Sequence, residues 1–212
     1  MKRTLKKFDD LDVIRVFLAI GDATKASGSA EGLIKRMDIC YRTLIGEGSV
    51  KSILKMLFDR GLVEIEKRGN RLTAAGKDVF EAVRQVLGET KPISTDIFND
   101  GMKAYAAVLK KYDGKKTEDA YAARDHAIRR GCWSAMVLVC RDGKVRLQSE
   151  IQSADREFNG LKDEFEIRNG DAILAVSSKS RRRTEKGILA IARYLNEELH
   201  STLSRISETA EM

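Results

Sequence analysis

One proline, one tryptophan, two histidines and three cysteines are all that this 212-residue chain carries of those four residue types. Each shortage removes a class of function. Cys40, Cys132 and Cys140 are odd in number and form no CxxC pair, and His126 and His200 stand alone, so neither a zinc site nor a disulfide framework is expected. An apolar run of about 18 residues, which a spanning helix needs, is missing, as is the apolar core of a secretory leader. The expected location is therefore cytoplasmic with reduced thiols, away from the membrane. No nucleophile stands with a base, no paired carboxylates share a defined turn, and Gly46-Glu47-Gly48 is too short for a phosphate loop. The chain is expected to be no enzyme and to use no cofactor or metal.

Hydrophobic residues make up 42% of the chain, enough for a buried core in each of two small domains. Pro92 disfavours helix at Lys91 and separates two differently patterned halves, which places the expected boundary between residues 1–91 and 92–212. The net charge is +7, and the excess is uneven: ten Lys and Arg face five Asp and Glu between Lys35 and Lys77. A cationic surplus gathered on one segment favours nucleic acid over a uniformly solvated surface.

That segment has a readable order. Asp9 and Asp10 cap a first helix with Leu11, Ile14, Phe17 and Leu18 on its apolar face, expected to end near Gly21. A loop over 22–29 and a second helix between Ala30 and Leu44 follow. The glycines of Ile45-Gly46-Glu47-Gly48 mark a turn, since each would cost about 1 kcal/mol inside a helix. From Ser49 onward, Val50, Ile53, Leu54 and Leu57 recur at helical spacing, with Ser49, Lys51, Ser52 and Lys55 on the opposite face. Gly61 closes this helix, 62–67 reads as a strand, and Arg68-Gly69-Asn70-Arg71 reads as a basic turn. Thr73 caps a further helix through Val79, Val83, Val86 and Leu87. The opening Met1–Lys7 is a short basic arm.

Beyond Pro92, the reading is a strand over 102–112, a helix from Thr117 closed by Gly131, and a strand over Trp133–Val139. Arg141-Asp142-Gly143-Lys144 turns into Val145–Gln148. Residues 152–170 show no pattern, Ala172–Ser177 is a buried strand, and one long helix is expected from about Thr184 through Leu199. This order implies an α+β fold: a small antiparallel sheet with helices on one face.

Two segments, Ile45–Thr73 and Ala123–Cys132 with the strand and turn that follow it, resemble archaeal two-domain proteins that join a winged helix-turn-helix to a C-terminal α+β domain of unknown function. The likeness spans about Lys35 to Tyr194. It implies a transcription regulator binding double-stranded DNA; in many winged-helix proteins a helix like the one after Thr73 mediates dimerisation, the equal alternative here being that it packs on the second domain.

The candidate DNA contacts are Ser49, Lys51, Ser52 and Lys55 in the major groove, with Lys67, Arg68, Asn70 and Arg71 against phosphate or the minor groove. Lys and Ser specify no base sequence. Two candidate sites for a small anionic effector lie in the second half. Arg124 and Asp125 form one, weighed against an ion pair within the helix. Ser180, Arg181, Arg182 and Arg183 form the other, at a helix N-terminus where amides and dipole favour an anion, weighed against a solvated basic turn. The leading expectation is a homodimeric duplex-DNA regulator, responsive to a ligand through its second domain. A phosphoryl- or small-molecule-handling enzyme with a regulatory winged helix, and an RNA- or protein-binding module, are the alternatives.

Overall fold

A computed structural model describes residues 8–27, 32–112, 117–148 and 158–207. The chain divides into two compact units: Met1–Val83 joined by Ser201–Met212, and Arg84–His200. The division differs from the boundary expected at Pro92, which lies inside the second unit on a short edge strand, and the first unit recruits a second, distant piece of chain. Met1–Lys7 lies outside the described residues.

The first unit opens with α1, Asp10–Ser27. Asp9 and Asp12 cap it reciprocally: the Asp12 amide donates to Asp9 Oδ1 at 3.1 Å and the Asp9 amide to Asp12 Oδ2 at 3.3 Å. The expected stop at Gly21 is not there. A Cβ at Gly21 would lie 2.2 Å from the Phe80 ring, so the missing side chain admits a neighbour and the helix runs on. Then come α2 (Arg36–Thr43), a turn over Leu44–Gly46 with Leu44 at φ 55°, and α3 (Glu47–Asp59). Gly48 belongs to the first turn of α3 and the turn ends at Gly46, two residues earlier than its glycines suggested. Val50, Ile53, Leu54 and Leu57 are buried, as their spacing predicts.

Gly61, at φ +67°, releases the chain into β1 (Val63–Glu66), which pairs antiparallel with β2 (Gly69–Leu72). The turn between them is Lys67-Arg68; Gly69, Asn70 and Arg71 are strand residues and not the turn. Thr73 Oγ accepts the Gly76 amide at 2.9 Å and so caps α4 (Ala74–Val86).

A buried ion pair ties this unit together. Arg15 Nη1 meets Asp12 Oδ1 at 3.2 Å, and Arg15 Nη2 donates to the Thr43 carbonyl at 2.6 Å. α1 thus satisfies an orphan carbonyl at the end of α2. Arg60 does the same for α8 (Glu197–Ser207), donating to the Ile206 carbonyl and, at 3.2 Å, to the Ser207 carbonyl.

The second unit is built on a five-stranded sheet in the order β3-β4-β7-β5-β6, every pairing antiparallel. The strands are β3 (Lys91–Pro92), β4 (Ala104–Leu109), β5 (Ser134–Arg141), β6 (Lys144–Leu147) and β7 (Ala172–Ser177). β7 is central and every one of its residues is buried, which its unbroken apolar run requires. The β5–β6 turn has Asp142 and Gly143 at φ 50° and 70°, the left-handed pair that matches the twist of a two-residue hairpin.

Two helices, α5 (Thr117–Ile128) and α7 (Arg181–Leu195), pack on one face of this sheet. Gly187 permits their approach: a Cβ there would lie 2.4 Å from Cys132 Sγ and 3.2 Å from Val176 Cγ1. On the other face Ala106, Val108, Leu138, Cys140, Ile173 and Ala175 are covered by Ile97 and by Phe158, Leu161 and Phe165. The last three flank the short α6 (Leu161–Glu164), within a stretch whose sequence shows no period. The long final helix is two helices. Asn196 interrupts it with extended backbone, and its Oδ1 accepts the Leu199 amide at 2.8 Å to start α8. The fold is α+β, with eight helices among the described residues.

Candidate nucleic-acid interface

A basic groove of about 400 Å³ lies in the first unit between α3 and the β1–β2 hairpin. Lys51 and Lys55 enter it from α3, Lys67 and Arg68 from the hairpin turn, and Lys35 and Arg36 from the start of α2. Leu54 and Ile65 line its apolar floor, and Glu66 is its one carboxylate. Lys51 and Lys55 are one helical turn apart, so both project from the same side of α3.

The cations are not equally available. Arg36 is held by Glu47 at 2.7 Å. Arg71 lies outside the groove and is bound by Glu64 at 2.6 Å and Glu66 at 3.0 Å, which also offsets the negative charge of Glu66. Lys51, Lys55 and Lys67 are exposed, with no ion pair to any carboxylate of the described residues. Like-charged neighbours at this density repel one another, and an incoming polyanion relieves that repulsion.

Of the eight residues expected at DNA, the groove brings together Lys51, Lys55, Lys67, Arg68 and Asn70. Asn70 is 4% exposed and occupied: its Nδ2 donates to the Ile34 carbonyl at 3.0 Å, while the two backbones exchange bonds at 2.8 and 2.9 Å. It is a structural residue that fastens the hairpin to the segment before α2. Ser49 is half-buried at the start of α3, and Ser52 is exposed but donates to the Gly48 carbonyl at 3.1 Å. Neither serine lines the groove. Sequence reasoning missed Lys35 and Arg36. Their signal was a basic pair directly before α2, adjacent to Ile34, but only the Ile34–Asn70 bridge places them across from the hairpin.

The two candidate effector sites do not merge. Arg124 borders a hollow of about 290 Å³ with Phe98, Tyr121, Met136 and Leu147, and none of Ser180–Arg183 lines it. Asp125 is exposed. Ser180 is the N-cap of α7 and accepts the Arg183 amide at 3.3 Å; Arg181 is paired with Glu185 at 2.6 Å.

Burial shifts the titratable groups of Cys40, Cys132 and His126. Burial pushes the Cys132 thiol up to about 11, against the opposing pull of Arg183, so it is a thiol and no nucleophile at neutral pH. Burial, and then Glu47, raise Cys40. Burial, then Arg129 and Arg130, depress His126, whose ring stacks on Tyr194 with centroids 4.6 Å apart. Among the described residues no cluster of His, Cys, Asp and Glu could hold a metal, and no helix is long and apolar enough to cross a membrane.

Among the likenesses to known proteins are a family and a solved structure, neither with an assigned role. Residues 101–196 match a family described as "Domain of unknown function (DUF4443)", which covers most of the second unit's sheet and both of its packed helices. The whole fold is similar to a solved structure, "Hypothetical protein PH0730 from Pyrococcus horikoshii OT3". The two share 21% identity and a TM-score of 0.69, over 92% of this chain and all of the archaeal one. A likeness at that identity shows the fold alone. No curated protein matches.

Proposed function

We propose that this chain is a transcription regulator that binds duplex DNA through its first unit, read as a winged helix-turn-helix, and acts as a homodimer. In this reading α2, the turn Leu44–Gly46 and α3 are the helix-turn-helix, α3 is the recognition helix, and the β1–β2 hairpin is the wing. The observation that carries it is the groove: six cations from α2, α3 and the hairpin turn converge there, four of them, Lys35, Lys51, Lys55 and Lys67, without a carboxylate partner among the described residues. Lys51 and Lys55 on α3 meet the duplex, and Lys67 and Arg68 reach the flanking backbone. The second unit holds the dimer or senses a small anion at Arg124, whose hollow has one cation and apolar walls.

The reading predicts binding dominated by phosphate contacts, so log affinity falls linearly with log salt. Replacing both lysines, Lys51→Glu with Lys55→Glu, reduces the magnitude of that slope by about 2, one per lost contact. Fluorescence anisotropy of a labelled duplex across a salt series measures it. Binding indifferent to salt, or a double variant with an unchanged slope, rules the interface out.

A further inference from the structure

The chain's single tryptophan, Trp133, is 60% exposed, although it directly precedes the buried strand β5. Its backbone amide is fixed to the Ser177 carbonyl at 2.9 Å, so the indole is presented from a rigid sheet end. Two cations lie close by. Lys179 Nζ stands 6.0 Å from the ring centroid, at the outer limit of a cation–π contact. Arg129 and Arg130 follow α5, four and three residues before Trp133 in the chain. Arg183 runs along Gly131, where a Cβ would lie 3.4 Å from Arg183 Cδ, and the Arg183 carbonyl accepts Cys132 Sγ at 3.2 Å. Two carboxylates of this unit are engaged: Glu185 pairs with Arg181 and Asp100 accepts Ser177 Oγ at 2.6 Å.

Stability explains neither feature. Arg181, Arg182 and Arg183 occupy the first turn of α7, which has no acidic residue and whose dipole repels cations. An exposed indole forgoes the burial that makes tryptophan useful to a core. A ligand with flat apolar faces and regularly spaced negative charge answers both at once.

We infer that this end of the second unit binds single-stranded nucleic acid, with an unpaired base stacked on Trp133 and the backbone phosphates taken by Lys179 and Arg183. Every base has a face to stack, so binding is sequence-tolerant, whereas a duplex keeps its bases stacked on one another and offers the indole none. This surface belongs to the second unit and the duplex groove to the first, and the inference does not depend on the function proposed for that groove.

Because Trp133 is the only tryptophan, its emission reports on this surface alone. The test titrates the full chain carrying Lys51→Glu and Lys55→Glu, so that the groove is disabled, with an oligothymidylate of roughly 12 nucleotides, within the span such surfaces cover. Saturable quenching is expected. In anisotropy on the same labelled oligonucleotide, Trp133→Ala and Arg183→Glu each weaken binding about ten-fold. Circular dichroism checks that these exposed substitutions leave the fold intact. No quenching, or quenching that appears only with Lys51 and Lys55 in place, overturns the inference. Equal quenching by a blunt duplex removes the base-stacking assignment, and equal quenching by polyglutamate assigns the surface to an acidic protein segment instead.

Discussion

The two units bury charge in different ways. In the first, Asp12 and Arg15 are both buried, and each depends on the other as well as on backbone groups of α1 and α2. In the second, buried Asp171 has no ion pair among the described residues: its two oxygens accept backbone amides, Lys111 at 2.9 Å and Arg168 at 3.0 Å, and so pin the loop ends beside β4 and β7. An ion pair fails all at once when one member is lost, because the survivor is a charge stranded away from water. A carboxylate held by amides leaves behind only polar groups, which cost less to desolvate.

The largest expected effect breaks the first unit. Arg15→Ala strands Asp12 and frees the Thr43 carbonyl, and should cost about 3–5 kcal/mol. Urea unfolding measures the loss, and hydrogen exchange should confine it to amides of the first unit. Asp171→Ala should cost less, about 1–3 kcal/mol, with faster exchange at Lys111 and Arg168. A cost for Asp171→Ala equal to that for Arg15→Ala would erase the distinction. Gly187→Ala tests the second unit's packing instead. The added methyl meets Cys132 Sγ and the sheet, and overpacking of this kind costs about 1–3 kcal/mol, read as a lowered melting temperature.

The smallest effect concerns pH. His126 has a folded-state pKa below its ordinary value, chiefly through burial and then through Arg129 and Arg130. Above about pH 6.5 the ring is neutral in both states and its contribution to stability is whole. As pH falls below that, the unfolded chain takes the proton first and stability drops, levelling off once the folded ring is protonated too. Melts between about pH 7.5 and about pH 5 should therefore show a decline that His126→Gln makes shallower.

The strongest periodicities in the sequence were its most reliable guides. The face of α3, the run of β7 and the Asp142-Gly143 turn each need only neighbours in the chain to be specified, and each lies where the sequence puts it. Glycine misled wherever its reason was a neighbour from elsewhere. Gly21 makes room for Phe80, and Gly69 lies where a Cβ would come within 3.0 Å of the Ile34 carbonyl, so both are contact points rather than punctuation. The same long-range bridge explains why Asn70 looked like a wing-tip contact: an Asn beside Gly in a basic stretch is the usual sign of a turn, and its burial depends on a segment 36 residues away. Lys51, Lys55, Lys67 and Arg68 were legible as a charge surplus, but their convergence with Lys35 and Arg36 required the fold.

Arg60 and the α8 carbonyls it caps are 146 and 147 residues apart in the chain, and the residues between them include the entire second unit. Closing so long a loop carries an entropic cost that falls on the folding rate before any contact offsets it. During synthesis the first unit must wait, with Arg60 lacking its acceptors and Leu203 and Ile206 not yet made, until the second unit has emerged and had time to fold. The contacts that complete the first unit therefore form only after every residue of the second unit has been made.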